Sequence, residues 1–156
     1  MKKIVIYFGI LIVAILLVAC GSQEAKEKEQ LAPNHELTAG TNQLPQFLNE
    51  ASEGLQMVYQ SAAEHQELLE QIPCYCGCGD EQVGHKDNHD CFVHEIKDNG
   101  EVVWDTHGIG CQVCIDTAVY SINEFEKGAD ISTIRKTIDD TYQDNGYPEP
   151  TPTPEV

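Results

Sequence analysis

The hydrophobic pattern divides the chain into unlike stretches. From Ile4 to Val18 it is a nearly unbroken apolar run, interrupted only by Gly9 and preceded by Lys2 and Lys3. A charged start followed by a short apolar run is the layout of a secretory signal, and a spanning helix takes about 20 apolar residues. Residues 20–43 are polar, carry few apolar side chains and read as a flexible, solvated tether. From 44 to 72 the pattern turns helical, with Leu44, Phe47, Leu48, Ala51, Leu55, Val58, Tyr59, Ala62, Leu69 and Ile72 at spacings of three and four. Pro45 suits the first turn, Pro73 stops the helix, and Gly54 is its weak point.

Residues 73–90 hold Pro, Gly, Asp and Asn and read as a loop, which also carries three cysteines and two histidines. Two β-rich runs follow, Cys91 to Lys97 and Glu101 to Trp104. The Asn99-Gly100 between them is a strong hairpin signal. A helix is expected from Cys111 to Lys127, with Gly128 as the residue just past its end. Asp130 can cap a last helix on which Ile131, Ile134, Ile138 and Tyr142 share a face. Residues 148–156 are Pro-rich and read as an extended, disordered tail. The expectation is a mainly α fold. It is a small helical bundle over 44–147 with an inserted β-hairpin and a Cys/His-rich loop, after a signal peptide (1–19) and a tether.

Length and charge narrow the function. A chain of 156 residues allows one modest domain, and its core is small once the N-terminal run is set aside. Domains of this kind gain stability from cross-links, metal or a partner. Nine basic against 26 acidic residues give a formal charge of −17. That balance excludes nucleic acid as a partner and argues against electrostatic docking to anionic lipid. Neither a nucleotide-binding glycine motif nor a G-x-S-x-G elbow is present. Asp80, Asp87 and Asp90 lack the spacing of a Ca²⁺ loop.

The apolar run ends in Leu17-Val18-Ala19-Cys20, followed by Gly21-Ser22. Apolar, small, then Cys resembles the lipobox of bacterial lipoproteins. The resemblance implies cleavage before Cys20, a diacylglycerol on its sulfur, and a domain anchored to the outer face of the bacterial cytoplasmic membrane. Cleavage would take the formal charge from −17 to −19 by removing Lys2 and Lys3. Two acyl chains suffice for stable anchoring. Outside the cell, disulfides are permitted.

The other six cysteines lie between residues 74 and 114. Cys74, Cys76 and Cys78 alternate with spacers. In an extended strand they would share a face at intervals of about 6.5–7 Å, too far for one metal. Gly77 and Gly79 can let the backbone curl and bring sulfurs together. Cys91 follows, then Cys111-Gln-Val-Cys114 at an expected helix start, where free N–H groups favour thiolate. His85 and His107 sit in Gly-rich loops beside these cysteines.

Thiolates suit soft or borderline metals, so zinc or copper held by Cys74, Cys76, Cys78, Cys91, Cys111 and Cys114, with His85 and His107 as supplements, is the favoured reading. It describes a binding protein rather than an enzyme, with a metal ion as partner and no protein partner identified. One alternative is a thiol–disulfide oxidoreductase using Cys111 and Cys114, with Cys76 or Cys78 resolving. Another is a structural or interaction module stapled by three disulfides, for which six cysteines leave fifteen connectivities open. His35 and His65 are expected on solvated surface away from the cluster. His94 is expected to occupy one face of a strand, and Phe92 and Trp104 the core.

The segment Pro73–Cys78, with His85, Cys91-Phe92, Trp104-Asp105, His107 and Cys111–Cys114, resembles the bacterial lipoprotein family named after its PCYCGC motif. The resemblance implies a secreted or membrane-anchored, Cys-rich protein and assigns no catalytic residue. Residues 111–147 are also similar to the CcmH-like thiol-reductase domain, a small helical bundle with one exposed C-x-x-C. This chain departs from that domain by its four further cysteines and its hairpin.

Overall fold

The computed structural model describes residues 31–80 and 82–154, and Pro33–Val156 forms one compact unit. The signal-peptide reading of 1–19, the lipid attachment at Cys20 and the first part of the tether lie outside the described residues. The described part is mainly helical with a small antiparallel sheet.

The sheet comprises β1 (His35–Thr38), β2 (Val93–Ile96) and β3 (Val102–Asp105), in the order β1-β3-β2. The expected hairpin is present as β2 and β3. The turn differs from a two-residue Asn-Gly turn, which would need a left-handed Asn99; only glycines have positive φ among the described residues. Instead the Gly100 amide bonds the Lys97 carbonyl at 2.8 Å and Gly100 takes the left-handed position at φ +86°. The β2–β3 register slips between Val93 and Glu95, leaving His94 as the extra residue of a bulge.

β1 corrects the tether reading. Residues 35–38 form an edge strand on β3, with His35 opposite Asp105 and Thr38 opposite Val102. The Thr38 hydroxyl also accepts from the buried Trp104 indole at 2.8 Å. Isolated, this polar stretch has no reason to extend; the free edge of an apolar central strand supplies one.

The long helix expected over 44–72 is divided. A 3₁₀ turn spans Gln46–Leu48, α1 runs Glu53–Glu64 and α2 is one turn, Gln66–Leu69. Ser52 caps α1 by accepting from the Leu55 amide at 3.2 Å. Gly54 thus falls in the first turn, where it weakens little. A short α3 (His107–Gly110) leads into α4 (Gln112–Glu126) and α5 (Ile131–Tyr142). α4 ends in the expected left-handed Gly128, with the Ala129 amide on Glu124 and the Gly128 amide on Phe125, a Schellman closure. Asp130 caps α5 as expected, accepting from the Thr133 amide at 2.9 Å.

α4 packs between α1 and α5, and α1 meets the sheet through Tyr59. The Tyr59 ring stands edge-on to Phe92 at 5.1 Å, and its hydroxyl donates to the Asp105 carbonyl at 2.9 Å. Phe92 and Trp104 are core residues, as expected.

The Pro-rich tail is a second correction. Through Pro154 it lies along the body of the fold, with Thr151 buried. Pro148 packs close to Gly77, and Arg135 of α5 donates to the Pro154 carbonyl. Four prolines make this stretch stiff and extended, so it can be laid down with little loss of conformational entropy.

Candidate metal centre

Four cysteines from separate parts of the chain bring their sulfurs together. Cys74 and Cys76 come from the loop after Pro73, Cys91 from the end of a 3₁₀ turn (His89–Cys91) before β2, and Cys114 from the first turn of α4. All four Sγ atoms lie within 4.8 Å of one another. Cys74 and Cys114 are 3.4 Å apart, Cys74 and Cys91 3.7 Å, and Cys91 and Cys114 3.0 Å. A tetrahedral zinc ion, with Zn–S near 2.3 Å, needs S···S edges of about 3.8 Å. The quartet therefore matches a four-thiolate cage to within small side-chain adjustments. Cys74, Cys91 and Cys114 are fully buried and Cys76 partly so.

The local backbone explains the convergence. Gly77 has φ +86°, a conformation that turns the chain after Cys76 and that a Cβ would strain. Two residues in strand geometry would hold their sulfurs apart; here Cys74 and Cys76 face one point. The Cys74 amide donates to the Thr151 hydroxyl at 2.8 Å, and the Thr151 amide to the Cys74 carbonyl at 3.0 Å. Buried Asn88 donates to the Cys114 carbonyl at 3.2 Å and takes its own amide bond to Ile72. The cage is thus framed by hydrogen bonds beyond the ligands.

The thiols polarise one another. Contacts with the Cys114, Cys74 and Cys91 sulfurs pull the Cys76 thiol far below the ordinary cysteine value, against its partial burial. Cys91 and Cys114 are pushed the other way, chiefly by those same sulfur contacts and then by burial.

Cys78 and Cys111 stand outside the quartet. Cys78 is half-buried, its amide donates to the Cys76 sulfur at 3.4 Å, and burial followed by the hydrogen bond with Cys76 pushes its thiol up. Cys111 is the half-buried N-cap residue of α4. All six described cysteines are free thiols.

His85 and His107 are not with the sulfurs. They gather instead on Asp105, whose buried carboxylate closes β3. His107 meets Oδ1 through Nδ1 at 2.5 Å and through its amide at 2.7 Å. On Oδ2, His35 sits at 3.0 Å, Asn34 at 2.9 Å and His85 at 3.7 Å. Burial alone would raise the Asp105 carboxyl, but contacts with His85 and His107 hold it at about 2. His35 was expected on open surface; pairing with Asp105 places it inside this group, stacked on His94 at 4.2 Å. His65 lies apart, between α1 and α2. A third group, Asp87, His89 and Asp90, serves the loop itself: Asp87 accepts from the Asp90 amide and Asp90 from the Lys86 amide.

Sequence reading missed Asp105, Asn34, Asn88 and Thr151 as site residues. Only Asp105 left a signal, a carboxylate at the end of an otherwise apolar strand.

No curated protein and no solved structure matches the chain. The similarity of 111–147 to a CcmH-like domain thus gains no support. A family model does match, over residues 9–156, nearly the whole length and including all four cysteines of the quartet. The chain belongs to the family described as proteins of unknown function with a PCYCGC motif.

Proposed function

We propose that the protein binds one soft or borderline metal ion, zinc or copper, through Cys74, Cys76, Cys91 and Cys114. The observation that carries this reading is the mutual approach of four sulfurs to within 4.8 Å in the core. They come from three separate segments: the loop after Pro73, the turn before β2 and the first turn of α4. Four protein ligands and burial leave no open coordination position, which is the form of a structural zinc site rather than a catalytic one. Zinc is favoured over Cu(I) because four converging thiolates match its tetrahedral preference. A core as small as this one gains stability directly from such an ion.

The setting we propose is the outer face of the bacterial cytoplasmic membrane, with the lipid on Cys20 as anchor and the acidic surface raising the local cation concentration.

The test is an intact mass of the full-length protein, purified without chelator, under native and denaturing conditions and with thiol alkylation. One bound ion lost on denaturation, with the four cage cysteines alkylated only after chelation, supports the reading. A metal-free mass with the cysteines paired as disulfides overturns it and leaves the stapled module. Catalytic dithiol turnover abolished by Cys111→Ser would establish the oxidoreductase instead.

A further inference from the structure

The group around Asp105 is a cluster of metal-ligand type that the cysteine cage does not use. We infer that His85, Asp105 and His107 form a second, separate cation site, of nitrogen and oxygen donors, for a borderline divalent ion of the zinc class. This goes beyond the proposed function, since it shares no ligand with the cage.

Three observations converge on it. The ligand atoms of His85, Asp105 and His107 all lie within 4.8 Å of one another. A tetrahedral ion with bonds of about 2.0–2.1 Å needs ligand edges of about 3.3 Å. The gap from His85 to Asp105 is already 3.7 Å, and that from His107 to Asp105 opens from 2.5 Å by less than one ångström. His107 is one-third exposed and has room to swing, whereas Asp105 is held.

The second observation is the burial of His85. It is only 6% exposed, and the nitrogen it turns to Asp105 is Nε2, 3.7 Å from Oδ2 and so beyond a direct hydrogen bond. A buried imidazole held at that distance from a carboxylate leaves a gap that an ion between them would bridge. The His85 ring stands edge-on to that of His107 at 4.8 Å.

The third is the outer support. Asn34 and His35 both bond Asp105 Oδ2, from the start of an edge strand whose register sets His35 opposite Asp105. Outer partners that fix a ligating carboxylate are what metal sites require and what a surface ion pair lacks. With three protein ligands and the exposed side of His107 facing water, a fourth position is left for solvent. That is the open form of zinc site, in contrast to the closed cage.

The probe is Co²⁺ added to the full-length protein, followed by absorption spectra and bound-metal analysis. Two equivalents are expected. Only the first set of bands should carry intense thiolate-to-cobalt charge transfer. His85→Ala/His107→Ala should bind one equivalent fewer while keeping that charge-transfer band, which also reports that the fold survives. Asn34→Ala should weaken the second equivalent by about 10- to 100-fold. Should the cysteine cage bind nothing, the wild type would take one equivalent without charge transfer, and its loss in the double histidine variant would still support this site. Equal stoichiometry in wild type and double variant overturns it. So does a ¹⁵N spectrum in which His85 and His107 stay unshifted on adding Zn²⁺.

Discussion

Cys74 and Thr151 hold each other by two reciprocal hydrogen bonds, although 77 positions separate them. The Cys74 amide donates to the Thr151 hydroxyl, and the Thr151 amide donates back to the Cys74 carbonyl. Thr151→Val keeps the shape but leaves a buried N–H unpaired beside a cage ligand. The expected cost is about 1–3 kcal/mol of stability. Metal affinity should fall by about 10- to 100-fold, the usual effect of losing an outer-shell partner. Urea unfolding with and without chelator measures both. A tail that only rested on the surface would give no change in either.

The cage and the two leftover cysteines should respond differently to substitution. Cys114→Ser removes a ligand from a closed set of four. The variant should lose the stabilisation that metal confers, so chelator would no longer lower its Tm. Cys78→Ser and Cys111→Ser should leave metal affinity within about threefold, since neither sulfur is in the quartet. In metal-loaded protein, Cys78 and Cys111 should be the described thiols that an alkylating reagent reaches first.

How far this was readable from sequence depends on whether the cause is local. The ends of α4 and α5 are local: Gly128 supplies a left-handed residue and Asp130 an acceptor for the Thr133 amide, and both stand where the pattern puts them. The hairpin is legible for the same reason, though its bulge at His94 is not. β1 leaves no trace, because His-Glu-Leu-Thr extends only when β3 offers an edge. The tail is the reverse case: PEPTPTP reads correctly as extended, but its two bonds to Cys74 are non-local. The cysteines announced a cluster. Which four converge depends on the turn at Gly77 and on packing between α4 and the loop, neither of which spacing encodes. Sequence proximity groups His85 and His107 with the sulfurs; in space they gather on the carboxylate of Asp105.

Metal binding should release protons. The cage needs four thiolates. Sulfur contacts and burial push Cys91 and Cys114 towards the protonated form. At least two protons must therefore leave per ion, and apparent affinity should fall by about 100-fold or more for each pH unit of acidification near neutrality. Zinc titrations in buffers of different ionisation enthalpy count the protons directly. A release below two protons per ion would contradict the thiol arrangement described.

Asp130 gives stability a pH dependence away from either cluster. Its carboxylate is held at about 2, against an ordinary 3.8, by bonds from Ser132 and from the Thr133 amide and hydroxyl. A carboxyl whose folded value lies below its unfolded one contributes fully above the unfolded value. That contribution is lost as pH falls through about 4 towards 2. Asp130→Ala should accordingly lower Tm at pH 6 and make progressively less difference below pH 4, by thermal melts of chelated protein. Asp130→Asn, which keeps an acceptor, should recover part of the loss.

Gly108 tests how tightly the two clusters are joined through the backbone. It lies in α3, between His107 on the Asp105 side and the Cys111–Cys114 segment. A Cβ there would stand 2.6 and 2.7 Å from the Phe92 ring and 2.9 Å from the Cys91 carbonyl. The ring is fully buried and edge-on to Tyr59, so it has nowhere to turn. The carbonyl belongs to a cage ligand, so any relief moves Cys91 as well. Gly108→Ala should cost about 1–3 kcal/mol by overpacking. Gly110→Ala, two residues on, meets nothing within 4 Å and serves as the control. The two variants are compared by denaturant midpoint and by cobalt charge-transfer intensity. Loss of both in Gly108→Ala, with Gly110→Ala close to wild type, is the expected pattern; equal behaviour of the two would mean that Phe92 and Cys91 can move independently of α3.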